Sequence, residues 1–159
     1  MCWRFVVVLA LLCGSAPAAG APVPGRVGFA TVSLSSARAG AGPVVVTVEL
    51  GYTMQCGYPG PGPVLVGFPR QVRVPSVLPP SRVLVDGRPA PTVAVSGWTV
   101  SVGLAPPPQV MCDVLGPGRL TIVFRRAAGF GNPVRAGNYA ITVRRGTALF
   151  SAPFTIRHR

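Results

Sequence analysis

Alternation at every second residue constrains this chain more than any other feature. Val44, Val46, Val48 and Leu50 share one parity, and Val45, Thr47 and Glu49 share the other. Val64, Val66 and Phe68 repeat the pattern, and Val72 and Val74 carry it through a shorter stretch. Trp98, Val100, Val102 and Leu104 alternate with Thr99, Ser101 and Gly103. Leu120, Ile122 and Phe124, then Tyr139, Ile141 and Val143, then Phe154 and Ile156 complete the series. Successive side chains of a strand point to opposite faces, so each run puts its apolar members on one face. Short runs of this kind, divided by Gly- and Pro-bearing turns, predict an all-β fold. The expected form is an antiparallel sandwich of about seven to nine strands.

The punctuation agrees with the period. Val83 and Val85 run into Asp86-Gly87, and Val93 and Val95 into Ser96-Gly97. Both dipeptides favour the tight turns of hairpins. Pro153 has no backbone donor, which puts the last strand at a sheet edge or on a bulge. With Val72, Leu120, Phe124, Val143 and Ile156 facing the core, Arg73, Arg119, Arg125, Arg144 and Arg157 fall on the solvent side. Trp98, Val100, Val102, Ile122, Tyr139 and Ile141 are expected on inward faces.

The first residues follow a different rule. Arg4 gives a basic start, Phe5 to Cys13 an apolar run, and Ala16-Pro17-Ala18 small residues at alternate positions. This is the plan of a cleavable secretory signal peptide, cut after Ala18 or Gly20. The apolar run is far shorter than the roughly 20 residues of a membrane-spanning helix. Residues 1–20 are therefore expected to be a leader. Residues 21–42 form a Pro- and Gly-rich tether that could hold a first strand, and 43–159 form the sandwich domain. Cys2 and Cys13 depart with the leader.

Charge is lopsided: fifteen arginines and no lysine face only Glu49, Asp86 and Asp113, a formal charge of +12. A GC-rich coding sequence explains Arg in place of Lys, but not the scarcity of Asp and Glu. The balance favours anionic partners, and Arg73, Arg119, Arg125, Arg144 and Arg157 are the candidate polyanion-binding residues. It also suits a protein that simply uses arginine to stay dispersed, and arginine at strand edges discourages unwanted pairing.

Two long segments, Gly51 to Pro63 and Ala105 to Gly118, carry Cys56 and Cys112. If consecutive strands alternate in direction, both lie at the same end of the sandwich. In an oxidising compartment a lone cysteine pair in a small domain is usually a disulfide. This one would close a long loop, worth roughly 4 kcal/mol on the chain-entropy account. Tyr52, Met54, Tyr58 and Met111 fall in the same segments. They are candidate binding residues, since loops at one end of a sandwich often serve recognition. Capping the core and covering the disulfide would account for them equally well.

Little in the inventory suits catalysis. The one His, His158, stands beside the C-terminal residue, Asp86 is taken by its turn, and Glu49 alternates outward. Two thiols and one imidazole are too few for a four-ligand zinc site. No enzyme activity, cofactor, metal or small-molecule substrate is expected.

From Val64 to Ile156 the chain resembles an immunoglobulin-like module of bacterial cell-surface and secreted proteins. The segments carrying the likeness are Val64-Leu65-Val66-Gly67-Phe68-Pro69, Val83-Leu84-Val85-Asp86-Gly87 and Val93-Ala94-Val95-Ser96-Gly97-Trp98. The most specific is Ala127-Ala128-Gly129-Phe130-Gly131-Asn132-Pro133, followed by Ala136-Gly137-Asn138-Tyr139. The resemblance implies an extracellular module with a structural or interaction role. Its partner would be a cell-surface protein. The arginine surplus, separately, offers the alternative of an anionic polymer, such as cell-wall phosphate polymer, acidic polysaccharide or extracellular nucleic acid. It is not an antibody-type domain, because Val110, not Tyr, stands two residues before Cys112. Two outcomes are expected of secreted protein: mass spectrometry finds the first 18 to 20 residues missing, and iodoacetamide labels neither Cys56 nor Cys112 unless the denatured chain is first reduced.

Overall fold

The computed structural model describes residues 26–55, 62–106 and 115–158. Ten strands follow in chain order: β1 Arg26–Leu34, β2 Val46–Gln55, β3 Val64–Gly67, β4 Val83–Val85 and β5 Arg88–Pro89. The remainder are β6 Val93–Ser96, β7 Thr99–Val102, β8 Leu115–Phe124, β9 Gly137–Arg145 and β10 Ala148–Ile156. They form two five-stranded sheets, ordered β1-β2-β8-β4-β5 and β10-β9-β3-β7-β6. Every pairing between them is antiparallel. The only helical pieces among the described residues are two 3₁₀ turns, Pro80–Arg82 and Arg126–Ala128.

The period of two becomes the core directly. Val46, Val48 and Leu50 of β2 stand opposite Phe124, Ile122 and Leu120 of β8, and all six are buried. Val64 and Val66 of β3, Val100 and Val102 of β7, and Ile141 and Val143 of β9 are buried in the second sheet. Both expected hairpins form, the first over Asp86-Gly87 and the second over Gly97-Trp98, one residue later than expected. β10, which carries Pro153, lies at a sheet edge. The strand expected within 21–42 is β1. It pairs with β2 along its length, so the sheet takes in residues that the sequence reading assigned to the tether.

Three aromatic rings seal one end of the core. Phe68 follows β3, Phe124 ends β8, and Phe130 comes from the β8–β9 connection. Their ring centroids are 4.9 to 5.6 Å apart. Contacts at these distances add to the large apolar burial of each ring. The next residue but one, Asn132, is the buried polar side chain of the described structure. Its Nδ2 donates to the carbonyls of Ser36 (2.7 Å) and Arg38 (2.9 Å), and its backbone N–H donates to Ala41 (2.8 Å). These bonds hold the β1–β2 connection against the end of the sandwich. Arg157 N–H then donates to Ala37 O (2.7 Å), and Ala39 N–H to Arg157 O (2.9 Å), so the same connection grips the end of β10. The Phe130-Gly131-Asn132-Pro133 motif is thereby explained as a structural clasp.

Three expectations need correction. Trp98 does not face the core: its side chain is 44% exposed. Gly97 and Trp98 are the two central residues of the β6–β7 hairpin, between the paired Ser96 and Thr99. Gly97 has φ +58°, the conformation a two-residue hairpin asks of its first central position. Strand parity therefore stops at Thr99, one residue short of the tryptophan. Val72 and Val74 do not form a strand either. Val72 is buried in a turn, and Arg73 makes a single bridge to Gly131. Tyr139 is only half-buried: its ring stacks on Phe154 and its hydroxyl donates to Arg135 O.

Phe130→Ala should cost about 3–5 kcal/mol in urea unfolding, the range for a buried aromatic truncated in a packed core. Asn132→Ala should cost roughly 2 kcal/mol by leaving two carbonyls short of a donor. Trp98→Ala should change stability by less than about 1 kcal/mol, as befits an exposed site.

Candidate functional site

The sandwich has two unlike ends. At one, β2 finishes, β8 begins and β9 turns into β10; at the other lie the three phenylalanines. Gln55, the last residue of β2, is the register partner of Leu115, the first of β8. The segments that follow Gln55 and precede Leu115 therefore leave from neighbouring points on one sheet. Cys56, Tyr58, Cys112 and Met111 lie outside the described residues, and Met54 sits on β2 with its side chain outside them as well. The expected same-end departure of the two segments is thus met, while the expected Cys56–Cys112 disulfide lies outside the described residues.

Both segments are shorter than the sequence suggested, because β2 continues to Gln55 and β8 starts at Leu115. Tyr52 consequently is not a loop residue. It follows Val46, Val48 and Leu50 on the inward face, is 6% exposed, and donates from its hydroxyl to Arg119 O at 3.1 Å. Its ring lies over Gly118, its register partner, where a Cβ would collide with the ring. The glycine opposite lets the ring lie flat across the strand pair, so Tyr52 closes the core. Arg145 shares this end on the inward parity of β9, after Ile141 and Val143, and is partly buried. Burial holds its guanidinium below the ordinary arginine range, while Tyr52 acts in the opposite sense. Leu104, Asp86, Arg88 and Arg119 join Tyr52 around a shallow cleft of about 430 Å³. Asp86 itself is occupied: its carboxylate accepts from Thr121 N–H at 2.8 Å and its N–H donates to Thr121 O at 2.9 Å.

The five arginines singled out from the sequence are all exposed, but they do not share one face. Arg119 lies on β8 of the first sheet and Arg144 on β9 of the second. Arg73, Arg125 and Arg157 lie beyond strand ends, and all three are at the Phe130 end. There they have company. Arg38 bridges to Arg157, Arg70 and Arg73 follow β3, and Arg82 precedes β4. Arg125 and Arg126 follow β8, and Arg135 precedes β9. This end gathers more than half of the chain's arginines together with His158, and no carboxylate lies there among the described residues. Glu49 on β2 and Asp86 on the β4–β5 turn both stand level with Thr121, partway along β8. The surplus of arginine is plain in the sequence but this placement is not, since positions just past strand ends converge only once strand directions are known.

Exposed apolar side chains accompany the arginines. Trp98 projects at the hairpin tip, with the Arg70 guanidinium 5.5 Å from its ring centroid, a cation–π distance. A groove of about 490 Å³ runs beside it, lined by Val72, Arg73, Val74, Ser76 and Val95. Val77 in the β3–β4 connection is 77% exposed, and Val134 in the β8–β9 connection is 83% exposed. No group of three or more potential metal-ligating side chains occurs among the described residues. No helix among them is long and apolar enough to cross a membrane.

No protein-family model matches the chain, and no curated protein does. Among solved structures, the crystal structure of BslA, a bacterial hydrophobin, is similar over 82% of this chain and 97% of that one, at 19% identity and a TM-score of 0.46. What defines this molecule is its own pair of antiparallel five-stranded sheets, one end closed by a tyrosine and the other crowned by arginines. Tyr52→Phe should cost about 1 kcal/mol in urea unfolding, the net worth of its hydroxyl's hydrogen bond.

Proposed function

We propose that this chain is a secreted, non-catalytic module that acts outside the cell in a structural or protein-interaction role, built on an immunoglobulin-like sandwich. Strand order supports the immunoglobulin-like part. The first two strands pair, β8 follows β2 in that sheet, and β3, β9 and β10 adjoin in the other. That is the arrangement of the A, B and E strands against C, F and G in such domains. The β4–β5 hairpin extends the first sheet beyond β8, and the β6–β7 hairpin extends the second beyond β3. A variable-type domain places these additions in the opposite chain order.

The observation that carries the functional reading is the separation of charge from the one well-closed core. Most of the described ionisable groups are exposed at the rim and at the Phe130 end, where they can meet a partner. The cleft beside Tyr52 that gathers Asp86, Arg88 and Arg119 is shallow. Among the described residues, ionisable groups do not converge on an enclosed pocket with a second titrating group, which general acid–base chemistry needs. The crowding of arginine at the Phe130 end also favours a second reading, attraction to anionic polymers such as wall phosphate polymer or acidic polysaccharide.

Fractionation of producing cells separates the two readings. The module should be recovered outside the cytoplasm, and protease added to intact cells should remove it. Release from the envelope by a high-salt wash, with a steep dependence on concentration, is expected if polyanion attraction holds it. Retention through the wash, with crosslinking to a surface protein, is expected of the protein-interaction role. Intracellular protein still carrying Met1 would overturn both.

A further inference from the structure

We infer that the Phe130 end is a docking face for an anionic lipid surface, with Trp98, Val77 and Val134 inserting among the headgroups and the surrounding arginines meeting lipid phosphates. This rests on the extracellular reading above and names the chemistry of one partner.

Charge alone would suit any polyanion; the apolar tips select among them. Of the five exposed large apolar side chains among the described residues, three project from this end, each from a different connection, while Phe29 and Leu149 lie on strands toward the other end. Trp98 is on the β6–β7 turn, Val77 on the crossing from β3 to β4, and Val134 on the crossing from β8 to β9. A hydrated polysaccharide or a phosphate polymer gives an isolated valine nothing to bury against. A headgroup layer does, and tryptophan with its amphipathic ring is the side chain most at home there. Arg70 beside the Trp98 ring keeps a cation at the depth of the lipid phosphates. The ring of arginines spans about 20 Å across five strands, judged from strand spacing. Arginines at opposite sides of this end are a little over two screening lengths apart at physiological salt, whereas adjacent ones repel, a repulsion that lipid phosphates would relieve. The connections are held rigid for this purpose by the Arg73–Gly131 bridge, the Arg82 guanidinium on Ala127 O (2.6 Å) and the Asn132 bonds.

Sedimentation with lipid vesicles tests the inference, using phosphatidylcholine alone, phosphatidylcholine mixed with phosphatidylglycerol, and heparin as a soluble polyanion. The chain should bind the mixed vesicles, ignore phosphatidylcholine alone, and show a blue shift in tryptophan emission that is absent from Trp98→Phe. Replacing Val77, Trp98 and Val134 together by Ser should weaken vesicle binding at least tenfold and leave retention on heparin unchanged. Arg126→Ser, Arg135→Ser and Arg157→Ser combined should weaken vesicle binding on the order of a hundredfold, at about fivefold per arginine. Arg88→Ser, Arg119→Ser and Arg144→Ser combined, away from this end, should have little effect. Each variant is first checked for wild-type unfolding in urea. Heparin retention without vesicle binding would overturn the lipid inference and leave the polymer reading standing. Vesicle binding unaffected by loss of the three apolar tips would overturn it as well. Failure to bind either ligand would remove the lipid and polymer readings together.

Discussion

The contact among Phe68, Phe124 and Phe130 is what the rest of this structure depends on. Each ring comes from a different stretch of chain: Phe68 just past β3, Phe124 at the end of β8, and Phe130 from the connection between β8 and β9. Strand pairing within a sheet is specified locally by hydrogen bonds and register, but nothing in a ladder says how two sheets should meet. The three rings join them, packing against one another across the ends of β3 and β8. Asn132 then uses the same connection to draw the β1–β2 segment and the end of β10 onto the seal. Two halves of the molecule are tied at one point.

That point carries a cost which explains its construction. Crowding arginines without nearby carboxylates raises the free energy of the folded state through self-repulsion, moderated by salt and by exposure. The apolar seal lies directly beneath the crowded charges and offsets them. An end built this way keeps its positive field without fraying, and the exposed side chains above it are free to meet another surface. The opposite end closes differently, with Tyr52 laid over Gly118 and a partly buried Arg145.

Much of the fold was legible because a period of two has one physical meaning. The burial of Val46, Val48, Leu50, Leu120, Ile122, Phe124, Ile141 and Val143 follows from parity alone. Parity failed where a turn or an extended strand interrupted it. Trp98 keeps the rhythm of Val100 and Val102, yet the two-residue turn takes it out of the strand. Tyr52 follows Leu50 in phase, yet the Gly51 and Gly57 nearby suggested a loop; its true place depends on Gly118, sixty-six residues away. Asn132 was visible only as a motif, since its role lies in carbonyls nearly a hundred residues earlier. The charged end was the least legible of all. Arg38, Arg82, Arg126 and Arg135 have no common pattern in sequence, and only antiparallel pairing turns them toward one side.

The directions of β1 and β10 have a mechanical consequence. Both strands run from the Tyr52 end toward the Phe130 end, so the described chain begins at one end of the sandwich and finishes at the other. Tension applied between Arg26 and Arg157 runs along the strands. Under that load the ladders joining β1 to β2 and β10 to β9 slide in shear, with many hydrogen bonds strained together, where a peeling load would break them one by one. The clasp of Arg157 on Ala37 and Ala39 takes the first strain at the loaded end. A module pulled between a cell and the surface it rests on would meet that force along its stiffest axis.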